Sequence, residues 1–190
     1  MVKRCSWSES NTLEMAYHDD EWGLPEHDDS KLFEMLSLES AQSGLSWLTI
    51  LQKRDGYRRA FANFEIKKVA RYSDKKCQSL LLDVSIVRHK LKINAVVENA
   101  KCILQVQQEY GSFNGYLWDF IGGKPLQNNW QSTKLVPAKT EQSDALSRDL
   151  KKRGFKFIGS TTCYAFMQAT GMVNDHVTSC FRHNVVKKVR

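Results

Sequence analysis

Between Lys90 and Tyr110 the residues Ile93, Val96, Val97, Ala100, Ile103 and Leu104 fall at i, i+3, i+4 and i+7, and Gly111 follows. Residues at that spacing share one face of an α-helix, whose successive side chains turn by about 100°. An apolar face of this length needs other apolar faces to pack against, and the rest of the chain supplies them. Leu32, Phe33, Met35 and Leu36 predict a helix over Asp28–Ser43, with Asp28, Asp29 or Ser30 as N-cap and Gly44 as its stop. Further helices are predicted from Ser46 to about Phe61, from Ser73 through Leu80, Leu81 and Leu82, over Ser112–Ile121, and over Thr161–Thr170 before Gly171. Ser143 can cap another, which ends in Lys151-Lys152-Arg153-Gly154, basic residues then glycine, as a helix C-terminus favours. Gly122-Gly123-Lys124-Pro125 and the polar residues up to Lys139 read as a long connecting loop. No alternation lasts for the length of a strand, no unit repeats, and no glycine-rich phosphate loop follows a strand. The fold class is therefore all-α.

At 190 residues the chain suits a single domain covering 1–190. With 42% hydrophobic and 26% charged residues and three prolines, it has the composition of a folded protein rather than a disordered one. Lys plus Arg exceeds Asp plus Glu by 28 − 21 = 7, which favours polyanionic partners such as nucleic acid or anionic lipid. The basic residues gather in Lys53-Arg54 with Arg58-Arg59, in Arg88-His89-Lys90-Leu91-Lys92, in Lys151-Lys152-Arg153 and in Lys187-Lys188-Val189-Arg190. Each group alone also fits an ordinary solvated face. No apolar run reaches signal-peptide or transmembrane length, so a cytoplasmic protein without a membrane partner is expected. Cys5, Cys77, Cys102, Cys163 and Cys180 are odd in number and irregular in spacing, and in such a compartment they read as thiols or metal ligands.

Cys5 and His18 lie near one end of the chain, His176 and Cys180 near the other at i, i+4, a spacing that puts both on one face of a helical turn. A Cys2His2 set suits tetrahedral zinc, and four protein ligands leave no position for a catalytic water, so such a metal is structural. It would pin both termini to one body. Scattered Cys and His packed for other reasons give the same pattern, and spacing does not choose between the two. His27, His89 and His183 have no comparable partners, and Cys77, Cys102 and Cys163 fall in helical patterns that read as core.

Glu39 follows Leu32 by seven residues, Met35 by four and Leu36 by three, which places a carboxylate on an apolar stripe. A buried carboxylate persists when it is paired, hydrogen-bonded or reserved for a ligand. A salt bridge, or a helix rotated enough to expose it, would serve equally. Trp47 follows and Tyr17 precedes, and a carboxylate among aromatic faces is a receptacle for a flat organic cation. The segment Leu81–Lys92 joins two helices through a short turn rich in basic residues, the form of a helix-hairpin-helix. There, backbone N–H groups and the next helix N-terminus receive DNA phosphates.

Several segments carry a wider likeness: Arg4-Cys5-Ser6-Trp7, Ala16-Tyr17-His18-Asp19-Asp20-Glu21-Trp22-Gly23, Leu32-Phe33-Glu34-Met35, Gly44-Leu45-Ser46-Trp47, Asp144-Ala145-Leu146-Ser147, Lys151-Lys152-Arg153-Gly154-Phe155-Lys156-Phe157 and Val173-Asn174-Asp175-His176-Val177. Over nearly its whole length the chain resembles the bacterial 3-methyladenine DNA glycosylase I enzymes of the helix-hairpin-helix superfamily. The resemblance implies zinc ligands at Cys5, His18, His176 and Cys180, in a zinc-binding part built from about 1–25 and 170–190. It implies a base pocket of Glu39, Tyr17 and Trp47 walled by Trp7 and Trp22, with Glu39 as the catalytic group. Gly44 and Leu45 are then on the loop that wedges into the duplex, and Arg88, Lys90 and Lys92 face DNA. The implied activity is monofunctional hydrolysis of the N-glycosidic bond of 3-methyladenine after extrusion of the base, by a monomer whose partner is alkylated double-stranded DNA. No lysine is marked as a Schiff-base nucleophile. Two features depart from the family pattern: Ser85 and Leu91 replace hairpin glycines, and Glu14 replaces a pocket tyrosine of some members. On the residues alone a non-catalytic DNA-binding module stays open. A zinc hydrolase or deaminase is also conceivable, though a closed set of four ligands argues against it.

Overall fold

The structure is a computed structural model that describes residues 2–189; Arg190 of the last basic group lies outside the described residues. The chain opens with a helix, α1 (Thr12–Asp20), started by Asn11, whose Oδ1 accepts from the N–H of Leu13. Sequence periodicity gave no sign of α1, because its buried residues are Tyr17 and His18 rather than an aliphatic stripe. Next comes α2 (Asp29–Gln42), capped by Asp28 and buried continuously from Leu32 to Ala41. A helix enclosed on all sides is the centre of a helical fold, and α2 packs against α3, α6, α7 and α9. That is why both Glu34 and Glu39 are buried.

After α2 the chain forms α3 (Trp47–Ala60, capped by Ser46), a short α4 (Ile66–Val69) and α5 (Asp74–Leu80, capped by Ser73). The hairpin residues 81–89 then lead into α6 (Lys90–Tyr110), which runs the whole length of its predicted apolar stripe, and α7 (Phe113–Asp119) follows. The long loop carries a two-residue strand, β1 (Leu126–Gln127), paired in parallel with β2 (Val173–Asn174). The pairing is too short to show as alternation, and the architecture remains predominantly α-helical. Helix α8 (Glu141–Lys152) begins earlier than expected: Thr140 is its cap, and Ser143 is the reciprocal partner in a capping box. It packs on α9 (Ser160–Ala169), and α10 (Phe181–Val186) closes the described chain.

One continuous apolar core takes residues from Cys5 to Cys180, so both ends of the chain are built into it. His176 and Cys180 do not lie on a helix, as their spacing suggested. They flank a turn in which the Cys180 N–H bonds the carbonyl of Val177, and Cys180 then caps α10. A tight turn closes four residues as well as a helix does. Among the described residues no helix is long and apolar enough to cross a membrane.

Candidate functional site

The segments near the two chain ends meet at a cluster of four candidate metal ligands. The ligand atoms of Cys5, His18, His176 and Cys180 all lie within 4.8 Å of one another, and all four residues are buried. Cys180 Sγ is 3.5 Å from His18 Nε2 and 3.6 Å from His176 Nδ1, and Cys5 Sγ is 3.7 Å from His176 Nδ1. The outer nitrogen of each ring is also engaged: His18 Nδ1 meets Asp19 Oδ1 at 2.8 Å, and His176 Nε2 meets the carbonyl of Trp22 at 3.0 Å. Such partners fix ring orientation and tautomer, as they do around metal-ligating histidines. Arg4 in turn holds Asp19, donating at 2.7–2.9 Å. Contact with Cys5 and with the two imidazoles pulls the Cys180 thiol down, and the neighbouring Cys180, with burial, pushes the Cys5 thiol up. Burial lowers His176, keeping its imidazole neutral and able to bind a metal.

Beside this cluster lies a cavity of about 460 Å³, within the usual size of a ligand pocket. Glu39 from α2, Tyr17 from α1 and Trp47 from α3 line it together with Trp7 and Trp22. Tyr17 and Trp47 rings are 5.2 Å apart and Trp7 and Trp22 rings 5.2 Å apart. The metal ligands buttress these walls, since His176 packs edge-on to Trp22 at 4.6 Å and His18 to Trp7 at 5.5 Å. Among the described residues Glu39 has neither a salt bridge nor a donor to offset its burial, and its carboxyl is pushed up to about 8 by burial alone. Tyr17 Oη and Trp47 Nε1 are likewise buried with no hydrogen-bond partner. Burial first, and then the nearby Glu39 and Glu21, push the Tyr17 phenol up. No lysine or arginine lines the cavity, whereas Glu14, Glu39 and Asp175 do. A pocket with these walls suits a flat, electron-poor or cationic ring carrying hydrogen-bond donors.

The opposite wall was not legible from sequence. It comes from Thr133, Val136, Pro137 and Ala138 of the long loop and from Thr161, Tyr164, Ala165 and Gln168 of α9. Asp175 locks that wall, its carboxylate accepting from Asn128 Nδ2, Trp130 Nε1, Tyr164 Oη and Gln168 Nε2 at 2.6–2.8 Å. The one sequence signal for Asp175 was its place between Asn174 and His176 in a segment that carried the family likeness.

On the outer face, Gly44 has φ +81, which only glycine adopts without strain, and Leu45 beside it is 40% exposed. Arg88 and Lys90 are exposed and form no ion pair among the described residues. Lys92 differs, for its ammonium donates to the carbonyls of Ala41 and Ser43. Ser85 turns out to need no glycine conformation. Its N–H and hydroxyl both donate to Asp83 Oδ1, at 2.8 and 2.6 Å, and Gly56 on α3 leaves the room it occupies. Leu91 lies within the first turn of α6 and is 60% exposed. The basic group of α3 is largely paired: Arg54 binds Glu21 and Glu34, Arg58 binds Glu34, and Lys53 donates to the Val84 carbonyl at 2.8 Å, while Arg59 is exposed.

These features have close counterparts. The family described as methyladenine glycosylase matches residues 7–183. DNA-3-methyladenine glycosylase 1 of Escherichia coli (strain K12) is 47% identical over 179 residues, covering 94% of this chain and 96% of that protein. DNA-3-methyladenine glycosylase of Haemophilus influenzae (strain ATCC 51907 / DSM 11121 / KW20 / Rd) is 46% identical over 180 residues, covering 95% and 97%. A crystal structure of 3-methyladenine DNA glycosylase I superposes with a TM-score of 0.93 at 47% identity, over 95% of this chain and 100% of that one. Matched by the family over residues 7–183 and alike in sequence and fold along almost its full length, the chain belongs to the methyladenine glycosylase family.

Proposed function

We propose that this chain is a monofunctional DNA glycosylase of base-excision repair, which hydrolyses the N-glycosidic bond of 3-methyladenine in double-stranded DNA. The relatives carry that activity in their names, and one observation in this chain supports it above the others. Three polar groups, the Glu39 carboxyl, Tyr17 Oη and Trp47 Nε1, stand without partners around a cavity with no basic side chain, in a protein of net charge +7. An unsatisfied buried polar group costs about 1–3 kcal/mol, and a ligand that pairs with these groups removes that cost.

Adenine methylated at N3 within DNA is a flat cation with an exocyclic amine. On this reading the cationic base, once seated beside Glu39, draws its carboxyl back to the ionised form, the proton leaving to solvent. Glu39 then accepts from the base and attracts its charge, while Trp47 and Tyr17 contact its faces. The base must leave the stack to reach them, with Leu45 filling part of the vacated space. As the N-glycosidic bond breaks, its electron pair goes to the base, which departs neutral, and positive charge passes to the sugar. Water then adds to the sugar carbon and its proton passes to solvent. Methylation makes the base a good leaving group, so the pocket needs to supply only modest stabilisation.

The cluster of Cys5, His18, His176 and Cys180 suits zinc. Zn–S of about 2.3 Å and Zn–N of about 2.0–2.1 Å at a tetrahedral angle put sulfur and nitrogen about 3.5 Å apart, against the 3.5–3.7 Å seen here. Four ligands leave the ion no open position, so zinc would supply cohesion between the chain ends and no reaction chemistry. The same reading makes residues 1–190 one domain and the protein a cytoplasmic monomer. A DNA-binding module without activity would have its pocket filled by side chains, and the open cavity disfavours it.

The test is incubation of the purified protein with methylated duplex DNA and identification of the bases set free, with Glu39→Gln alongside. Release of 3-methyladenine by the wild type and its loss in the variant are expected. A folded, metal-loaded wild type that releases none would refute the activity, and a fully active Glu39→Gln would refute the pocket assignment.

A further inference from the structure

Lys92 belongs to the basic hairpin group, yet its side chain runs to the end of another helix. Its ammonium donates to the carbonyl of Ala41 at 2.8 Å and to that of Ser43 at 2.6 Å. These carbonyls stand at the C-terminus of α2 (Asp29–Gln42), where the last groups of a helix have no partner within it. A cation there also faces the negative end of the helix dipole. With two acceptors already engaged, the ammonium has one N–H left for anything else.

The two carbonyls bracket the functional stretch of the chain. Glu39 lies two residues before Ala41, and Gly44 and Leu45 directly follow Ser43. Little else holds that turn. Leu45 N–H bonds the Gln42 carbonyl at 2.6 Å within it, and a side chain built at Gly44 would meet nothing within 4 Å. Among the described residues, Lys92 is the side chain from another helix that hydrogen-bonds the Ser43 backbone. Lys92 itself rises from the first turn of α6, directly after the hairpin, where the His89 ring caps its N–H.

We propose that Lys92 is a positioning residue: its ammonium fixes the Ser43-Gly44-Leu45 turn to the hairpin, setting the height from which Leu45 enters the duplex. This rests on the glycosylase reading above. It assigns Lys92 to a joint between the hairpin and the wedge in place of a phosphate contact. Docking of the hairpin on the backbone then delivers Leu45 to the base stack as one rigid movement, without a separate ordering of the loop.

Lys92→Met keeps the aliphatic stem and removes the donor, Lys92→Arg restores a donor, and Lys90→Met serves as the phosphate-contact control. Misplacement by about 1 Å can cost about a hundredfold in rate, so Lys92→Met should slow single-turnover base release by about ten- to a hundredfold, and Lys92→Arg should recover most of it. Free 3-methyladenine affinity, read from tryptophan fluorescence, should be unchanged and also shows that the variant is folded. The salt dependence of duplex binding should keep its wild-type slope in Lys92→Met, while Lys90→Met should reduce it by about one. A 2-aminopurine placed beside an abasic-site analogue should show weaker unstacking with Lys92→Met. Addition of Leu45→Ala should slow Lys92→Met by a smaller factor than it slows the wild type, since both act through one group. Wild-type rate and unstacking in Lys92→Met would overturn the proposal, as would a salt slope reduced like that of Lys90→Met. The unstacking measurement uses no chemistry, so it decides the role of Lys92 even if the wild type releases no base, a result that counts against the glycosylase reading alone.

Discussion

Glu39 trades stability for function. Its carboxyl keeps the proton to about pH 8 in the native protein, whereas an unfolded glutamate loses it near about pH 4.3. Between those values the native state holds the additional proton, so stability falls as pH rises through the window and levels off above it. Glu39→Gln removes this dependence. Thermal unfolding of the variant should match wild type near pH 4 and exceed it increasingly toward pH 8, by an amount on the order of a few kcal/mol. Base release should fall at the same time by about ten- to a hundredfold, the worth of a hydrogen bond to a charged group. A variant no more stable than wild type at pH 8 would mean that Glu39 has a partner in solution. Tyr17→Phe tests the same economy on a neutral group: among the described residues Oη has no partner, so the variant should be more stable than wild type, by about 1–3 kcal/mol, and bind the free base more weakly.

At the scale of elements, the hairpin is set by how closely it approaches α3. A Cβ on Gly56 would lie 2.2 Å from the Ser85 carbonyl oxygen and 2.6 Å from its hydroxyl. Gly56→Ala therefore opposes two effects. Alanine is favoured over glycine in a helix by about 1 kcal/mol, while overpacking costs about 1–3 kcal/mol, and a clash with backbone has no flexible end to yield. The clash should win. Urea unfolding should show a net loss, and duplex affinity should drop because the hairpin is pushed from the Lys53 bond to Val84. Gly56→Ala with raised stability and unchanged DNA affinity would show that the hairpin is not braced by α3. The serine in the turn is thus accommodated by its own bonds to Asp83 and by a glycine on a neighbouring helix.

For the whole molecule, the metal cluster closes the chain on itself, joining the segment that holds Cys5 and His18 to the one that holds His176 and Cys180. Metal removal should therefore affect more than the termini. Elemental analysis should find one zinc per chain, and a chelator should lower the unfolding temperature by roughly 10 °C or more, since each kcal/mol is worth about 2–4 °C at this size. Free 3-methyladenine affinity should weaken in parallel, because Trp7 and Trp22 rest on the two ligating rings. Cys180→Ala should reproduce both losses. A chelated protein with an unchanged unfolding temperature would show that the core holds the ends without the ion.

The longer helices after α1 were legible because their causes are local: the α6 stripe and the caps at Asp28, Ser46 and Ser73 lie within a few residues of what they stabilise, whereas α1, α4 and α10 carry no aliphatic stripe long enough to show. By the same means the chain's own pattern pointed to an all-helical fold, a carboxylate on an apolar face and four candidate metal ligands. It could not show that those ligands converge, that Glu39 lacks a partner, or that a loop without periodicity walls the cavity through Thr133–Ala138. Nor could it separate Lys90, which is exposed and unpaired among the described residues, from Lys92, which is bound to another helix. A polar group's partners are a matter of distance through space, and only the packing of residues far apart in the chain decides which groups are satisfied and which are left for a ligand.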